Sequence, residues 1–122
     1  RRLEAVPPGT VAINLKLAKV GGLLAARALI EATADREVPI VVGAMVGETS
    51  ILTRTALVAA RMAGDRLLGI EGGASRWLLA RDPVRPSLGF GLSGALRFDP
   101  ERAGPGLGLA AEGWERRPPR AA

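Results

Sequence analysis

The sequence is as informative in what it lacks as in what it holds. Its 122 residues contain no cysteine, so neither a disulfide framework nor thiolate chemistry is open to it. There is no histidine either, which removes the commonest general base, the commonest metal ligand and every histidine-dependent triad. Aromatics are reduced to Trp77, Trp114, Phe90 and Phe98, so the core has to be built from Leu, Val, Ile and Ala. No apolar run approaches the ~18 residues of a membrane span. No charged-then-apolar leader opens the chain, which begins Arg1-Arg2 without a methionine, as a processed or truncated product would.

What is present suits one compact unit. Apolar residues make up 48% and charged residues 24%, a core-forming composition too apolar for a disordered chain. The net charge of +5 is dispersed, apart from Arg116, Arg117 and Arg120 near the end. With no stacking platform and no recognised motif, a nucleic-acid partner is not expected. Of 17 basic residues only Lys16 and Lys19 are lysines, and both fall in one segment. Arginine keeps its proton in a protein, whereas a lysine can be tuned to release it. These two are therefore either sites of chemistry or ordinary solvated charges.

Three apolar segments read as strands: 12–17, 39–44 and 66–71, each starting 27 residues after the last. The middle one, Pro39-Ile40-Val41-Val42-Gly43-Ala44, is unalternating, as a strand covered on both faces would be. Helices are expected between them. The first, from about Leu23 to Thr33, would present Ala25, Ala28, Leu29 and Ala32. The second, from about Ile51 to Ala63, would present Leu52, Ala56, Ala59, Ala60 and Ala63, with Ser50 as N-cap and Gly64 as terminator. A short third helix follows at 75–80. The resulting βαβαβ order implies a parallel sheet, and a 27-residue unit is close to one-eighth of a (β/α)8 barrel of ~250 residues. A small doubly wound sheet fits the same periodicity. Beyond Asp82-Pro83 the chain is rich in Gly and Pro, with a possible hairpin pairing 88–90 with 95–98.

Active sites of parallel α/β folds gather at the C-terminal ends of the strands. There the sequence puts Lys16 at the end of the first strand, then Lys19, Gly21 and Gly22, and after the second Met45, Glu48, Thr49 and Ser50. Glu71, Gly72 and Gly73 follow the third. Each has an inert alternative. Lys16 shares a strand face with Asn14 and could be a solvated strand end. Glu48 could be a carboxylate favoured by a helix N-terminus. Gly21-Gly22 lacks any phosphate-loop pattern and suits a tight turn. Met45 suits pocket lining or core.

The segment Ala12-Ile13-Asn14-Leu15-Lys16-Leu17-Ala18-Lys19-Val20-Gly21-Gly22 resembles the sixth barrel strand and turn of the enolase superfamily. The match is to its muconate-lactonizing subgroup of muconate cycloisomerases, o-succinylbenzoate synthases and dipeptide epimerases. Residues 39–50, ending Gly43-Ala44-Met45-Val46-Gly47-Glu48-Thr49-Ser50, resemble the seventh strand, and Leu67–Gly73 the eighth. Pro105-Gly106-Leu107-Gly108-Leu109 resembles the return to the capping domain. The resemblance spans roughly residues 5 to 110. It implies that residues 1–82 are strands six to eight of the barrel and 83–110 the return segment; beyond it, the Arg- and Pro-rich end at 111–122 reads as a disordered tail.

The resemblance further implies a Mg2+-dependent racemase, epimerase or cycloisomerase acting on a small carboxylate substrate. Lys16 would be the acid/base, and Met45, Glu48, Thr49, Ser50 and Glu71 would line the substrate side. Lys19 falls at a turn position held by either Lys or Arg and is given no chemistry. The parent would be cytoplasmic and homo-oligomeric. The metal carboxylates and a second lysine would lie upstream of Arg1, so the isolated chain would be inactive. The missing histidine excludes the mandelate-racemase branch, and Gly69-Ile70-Glu71-Gly72 departs from the Asp-x-Asp of dipeptide epimerases. The alternative reading is a non-catalytic α/β remnant or interaction module that needs a partner chain to fold.

Overall fold

The computed structural model describes residues 7, 9–97, 99, 101 and 106–109. The expected tail at 111–122, Phe98 of the hairpin and Pro105 of the return segment lie outside these residues. The three strands are β1 (Ile13–Lys16), β2 (Ile40–Gly43) and β3 (Leu67–Ile70). Each is one residue shorter at either end than the sequence suggests, and the 27-residue spacing is kept. They form a parallel sheet in the order β1-β2-β3. Four helices follow: α1 (Leu17–Val20), α2 (Leu23–Ala32), α3 (Ser50–Ala63) and α4 (Ser75–Leu78). Two 3-10 turns, Ala34–Arg36 and Gly64–Arg66, and a two-stranded antiparallel hairpin, β4 (Gly89–Phe90) with β5 (Leu96–Arg97), are the other described elements.

One aliphatic core joins the sheet to its helices. Leu15, Ile40 and Val42 from the strands meet Ala26 and Ile30 of α2 and Ala56, Ala59, Ala60 and Ala63 of α3. Fully burying an Ile, Leu or Val side chain contributes about 1.5–3 kcal/mol, so a few such residues fix the assembly. The α3 face matches the sequence expectation. The α2 face does not: Ala25, Ala28 and Ala32 are exposed, Leu29 is half-buried, and Ala26 and Ile30 turn inward. The cause is side-chain size. Rotating the helix by one position buries Ile30, whose burial outweighs that of an alanine.

Both α2 and α3 pack on the same side of the sheet, so β2 is covered on one face by helices rather than on both as expected. The other face carries Asn14, Lys16, Val41 and Gly43. At Gly43 a β-carbon would collide with Asn14 Oδ1 and stand 3.0 Å from Asn14 Cγ and 3.1 Å from Lys16 Cγ. Glycine is needed here for space, because both polar side chains of β1 lie across it. In β3 the register slips between its pairings with Ile40 and Val41. Leu67 and Ile70 then both reach the core and Leu68 is left outside it. Such a bulge shifts which side chains face inward.

Two long-range polar contacts fasten the helix ends. Arg66 reaches back to the C-terminus of α2, donating to Ile30 O (2.7 Å) and Thr33 O (3.1 Å). This satisfies carbonyls with no partner inside the helix and sets a positive charge against the negative end of its dipole. At the other end of α2, Gly21 and Gly22 have φ of 93° and 100°, and both amides donate to Leu17 O. They are the tight turn that the lack of a phosphate-loop pattern suggested, and left-handed φ suits glycine.

Replacing Gly43 by alanine forces Asn14 and Lys16 aside. The Gly43→Ala chain should lose about 1–3 kcal/mol of stability in urea unfolding, the usual result of overpacking, and adding Asn14→Ala should restore at least half of it.

Candidate functional site

Three strand ends and the loops after them form one rim. Lys16 closes β1, where the chain turns into α1 at Leu17, a residue the sequence suggested as strand. Its Nζ donates to Ala44 O at 2.6 Å, just past the end of β2, and lies 3.5 Å from Glu71 Oε2, just past β3. The same Glu71 oxygen accepts from Ala44 N at 3.0 Å. One carboxylate and one amine thus clasp the two polar groups of a single residue between them. Glu71 titrates below the ordinary carboxylate range. The Ala44 amide is the main cause, the charge of Lys16 adds to it, and slight desolvation opposes both.

The loop after β2 is organised by its own carboxylate. Glu48 Oε1 accepts from Met45 N at 2.7 Å, closing a tight turn through Gly47. Together with the loop after β3 it borders a cleft of about 210 Å³, walled by Met45, Val46 and Leu78, with Gly72, Gly73 and Glu48 also lining it. The cleft lies beside the Lys16–Glu71 pair, and neither of those two residues lines it. Sequence reasoning placed Lys16, Glu71, Met45 and Glu48 at one rim, and the structure brings them there.

Ser50 belongs elsewhere. It is fully buried and is the first residue of α3, with Thr49, whose side chain makes no capping bond, at the N-cap position. Ser50 Oγ donates to Asp82 Oδ2 at 2.5 Å, accepts from Leu88 N at 2.8 Å and lies 3.2 Å from Ser75 Oγ. Ser50 N also donates to Asp82 Oδ2 at 3.1 Å. Asp82 therefore caps α3 from 32 residues away and pins the return segment to it. No signal in the sequence paired these residues, because capping rules look a few residues ahead and this cap arrives through tertiary structure. The expected N-cap and substrate-side roles of Ser50 give way to a structural one, as its hydroxyl is engaged and shut off from solvent.

Burial works to raise the Asp82 carboxyl. The hydroxyls of Ser50 and Ser75 and the amides of Val84 and Ser50 outweigh it, and the group titrates below its ordinary value. The return segment is held again where Val84 bridges Leu109 and Arg85 N donates to Gly108 O at 3.1 Å. Gly108 lies hard against the buried guanidinium of Arg54, whose Cζ would be 2.5 Å from a β-carbon there.

Among the described residues no group of three or more Asp, Glu, His or Cys side chains is placed to hold a metal ion. Glu48 and Glu71 each commit an oxygen to a backbone amide. The donor set does not fit a Mg2+ ion.

Two expectations follow. Magnesium added to the chain should leave its Tm unchanged, whereas a rise that grows with concentration would reveal a site these residues do build. Asp82→Ala should cost about 1–3 kcal/mol in urea unfolding, through the lost cap and the hydroxyls left unpaired. The folded-state pKa values of Asp82 and Glu71 are lowered. Their contributions are therefore complete above the unfolded carboxylate range and are lost as pH falls through the lowered values. The urea midpoint should fall on acidification, and less steeply in the Asp82→Ala chain.

Compared with protein-family models, with curated proteins and with solved structures, the chain matches none.

Proposed function

We propose that this chain forms strands six to eight of an enolase-type (β/α)8 barrel, with the segment that returns to its capping domain. Lys16 is then the acid/base of a racemase, epimerase or cycloisomerase acting on a small carboxylate. The reading includes a cytoplasmic, homo-oligomeric parent. The observation that carries it is the position of Lys16 Nζ. It stands at the C-terminal end of a parallel strand, on the sheet face that the helices leave uncovered, tethered by Ala44 O and Glu71. Active sites of parallel α/β folds lie at this end.

The chemistry follows from the amine. The Cα–H bond of the substrate breaks, its proton passes to neutral Lys16 Nζ, and the electron pair left behind spreads into the carboxylate. In the reverse direction the ammonium returns the proton. Glu71 acts as a positioning residue, fixing Nζ relative to the end of β2. A divalent metal would, in this reading, supply charge neutralisation beside the substrate carboxylate; no group of described residues would hold it, and its carboxylate ligands would lie upstream of Arg1. Lys19, exposed in the last turn of α1, has no part in this.

One observation favours the second reading, a non-catalytic module completed by a partner chain. The outer edges of β1 and β3 pair with no strand among the described residues, and Leu68 is 64% exposed. Open edges invite association.

Both readings meet in one experiment. The chain is combined with a piece supplying strands one to five of a muconate-lactonizing-type barrel, with Mg2+ present. Deuterium uptake at the α-carbon of N-acyl amino acids, dipeptides and the lactone acids formed from muconates is then followed by NMR. Exchange should occur with at least one of these acids, and Lys16→Ala should slow it by about 10²–10⁴-fold. Exchange that is absent, or indifferent to Lys16, would overturn the enzymatic reading; co-elution without exchange would support the module.

A further inference from the structure

The cleft beside the Lys16–Glu71 pair has a chemistry of its own. Met45, Val46 and Leu78 give it apolar walls, and Glu48 is its one ionisable lining residue. Glu48 is only half-fixed. Oε1 takes the Met45 amide at 2.7 Å, while among the described residues Oε2 accepts no hydrogen bond. The nearby Lys16 is engaged by Ala44 O and Glu71. A half-buried carboxylate held through one oxygen and bordered by hydrocarbon favours a cationic donor. An anion entering the cleft would face Glu48 with Glu71 close by. Pockets for drug-sized ligands run to ~300–1,000 Å³, so a space of about 210 Å³ suits one short side chain.

We infer that this cleft binds an aliphatic ammonium group, with Glu48 Oε2 as its acceptor. Glu48 would then be a specificity-determining residue, selecting substrates that carry an amine in addition to the carboxylate at Lys16. The catalytic half of that statement rests on the reading of Lys16 given above; the binding half does not.

The test uses the full chain and three isosteric probes, 3-methylbutylammonium, 3-methylbutan-1-ol and 3-methylbutanoate, titrated into ¹⁵N-labelled protein. The amides of Met45, Val46, Gly73 and Leu78 should shift saturably with the ammonium, at about tenfold lower concentration than with the alcohol, and the carboxylate should be weakest. Glu48→Gln keeps an oxygen for the Met45 amide and should bring the ammonium to the level of the alcohol. The comparison of the three probes on the unaltered chain stands even if that variant does not fold. Equal binding of ammonium and carboxylate, no saturable shift at these amides, or an ammonium preference that survives Glu48→Gln would overturn the inference. Deuterium exchange dependent on Lys16 would remain valid after any of those results. An ammonium preference lost in Glu48→Gln would likewise remain valid without exchange.

Discussion

Both long helices lie against the same side of the three-stranded sheet, and that one-sided cover sorts every side chain the strands carry. Leu15, Ile40 and Val42 go under α2 and α3. Their neighbours in sequence must then point away, since successive strand residues alternate. That places Asn14 and Lys16 together on the uncovered face, across the gap that Gly43 leaves for them. The amine reaches Ala44 and Glu71 only because the aliphatic core has settled which way β1 is turned. Polar contacts at the rim finish an arrangement whose direction comes from hydrophobic burial.

The strands were legible because their pattern is local. Continuous apolar segments with an unvarying spacing identify three parallel strands, and the rim at their ends follows from fold class alone. The alanine-rich face of α3 was readable for the same reason. What escaped reading depends on partners distant in the chain. The rotation of α2 is decided by Ile30 against the sheet, and the exposure of Leu68 by a slip in pairing with β2. Asp82 caps a helix that begins 32 residues earlier. Leu17 looks like strand in sequence yet opens α1. A period-two pattern cannot show where a strand end is drawn into a turn by the glycines that follow.

The charged groups at and near the rim fall into three arrangements. Lys16 and Glu71 neutralise each other and lock the ends of all three strands through Ala44. Glu48 holds its own loop through one oxygen. A third carboxylate, Asp82, is spent wholly on architecture, joining α3 to the return segment through two serine hydroxyls. The Lys16–Glu71 pair and the cleft that Glu48 lines stand side by side at the rim, whereas Asp82 is enclosed by the serine hydroxyls.

The contact between Arg66 and the end of α2 bears on synthesis. Ile30 and Thr33 leave the ribosome well before the guanidinium that covers their carbonyls. Chains emerge at about 5–20 residues per second, so for some seconds the end of α2 relies on the Thr33 hydroxyl, which donates to Leu29 O and Ile30 O. Isolated helices of this length are marginal in water, and α2 has only ten residues. Arg66, just ahead of β3, thus ties the end of α2 to the third βα unit, so the first unit draws part of its support from residues more than thirty positions later.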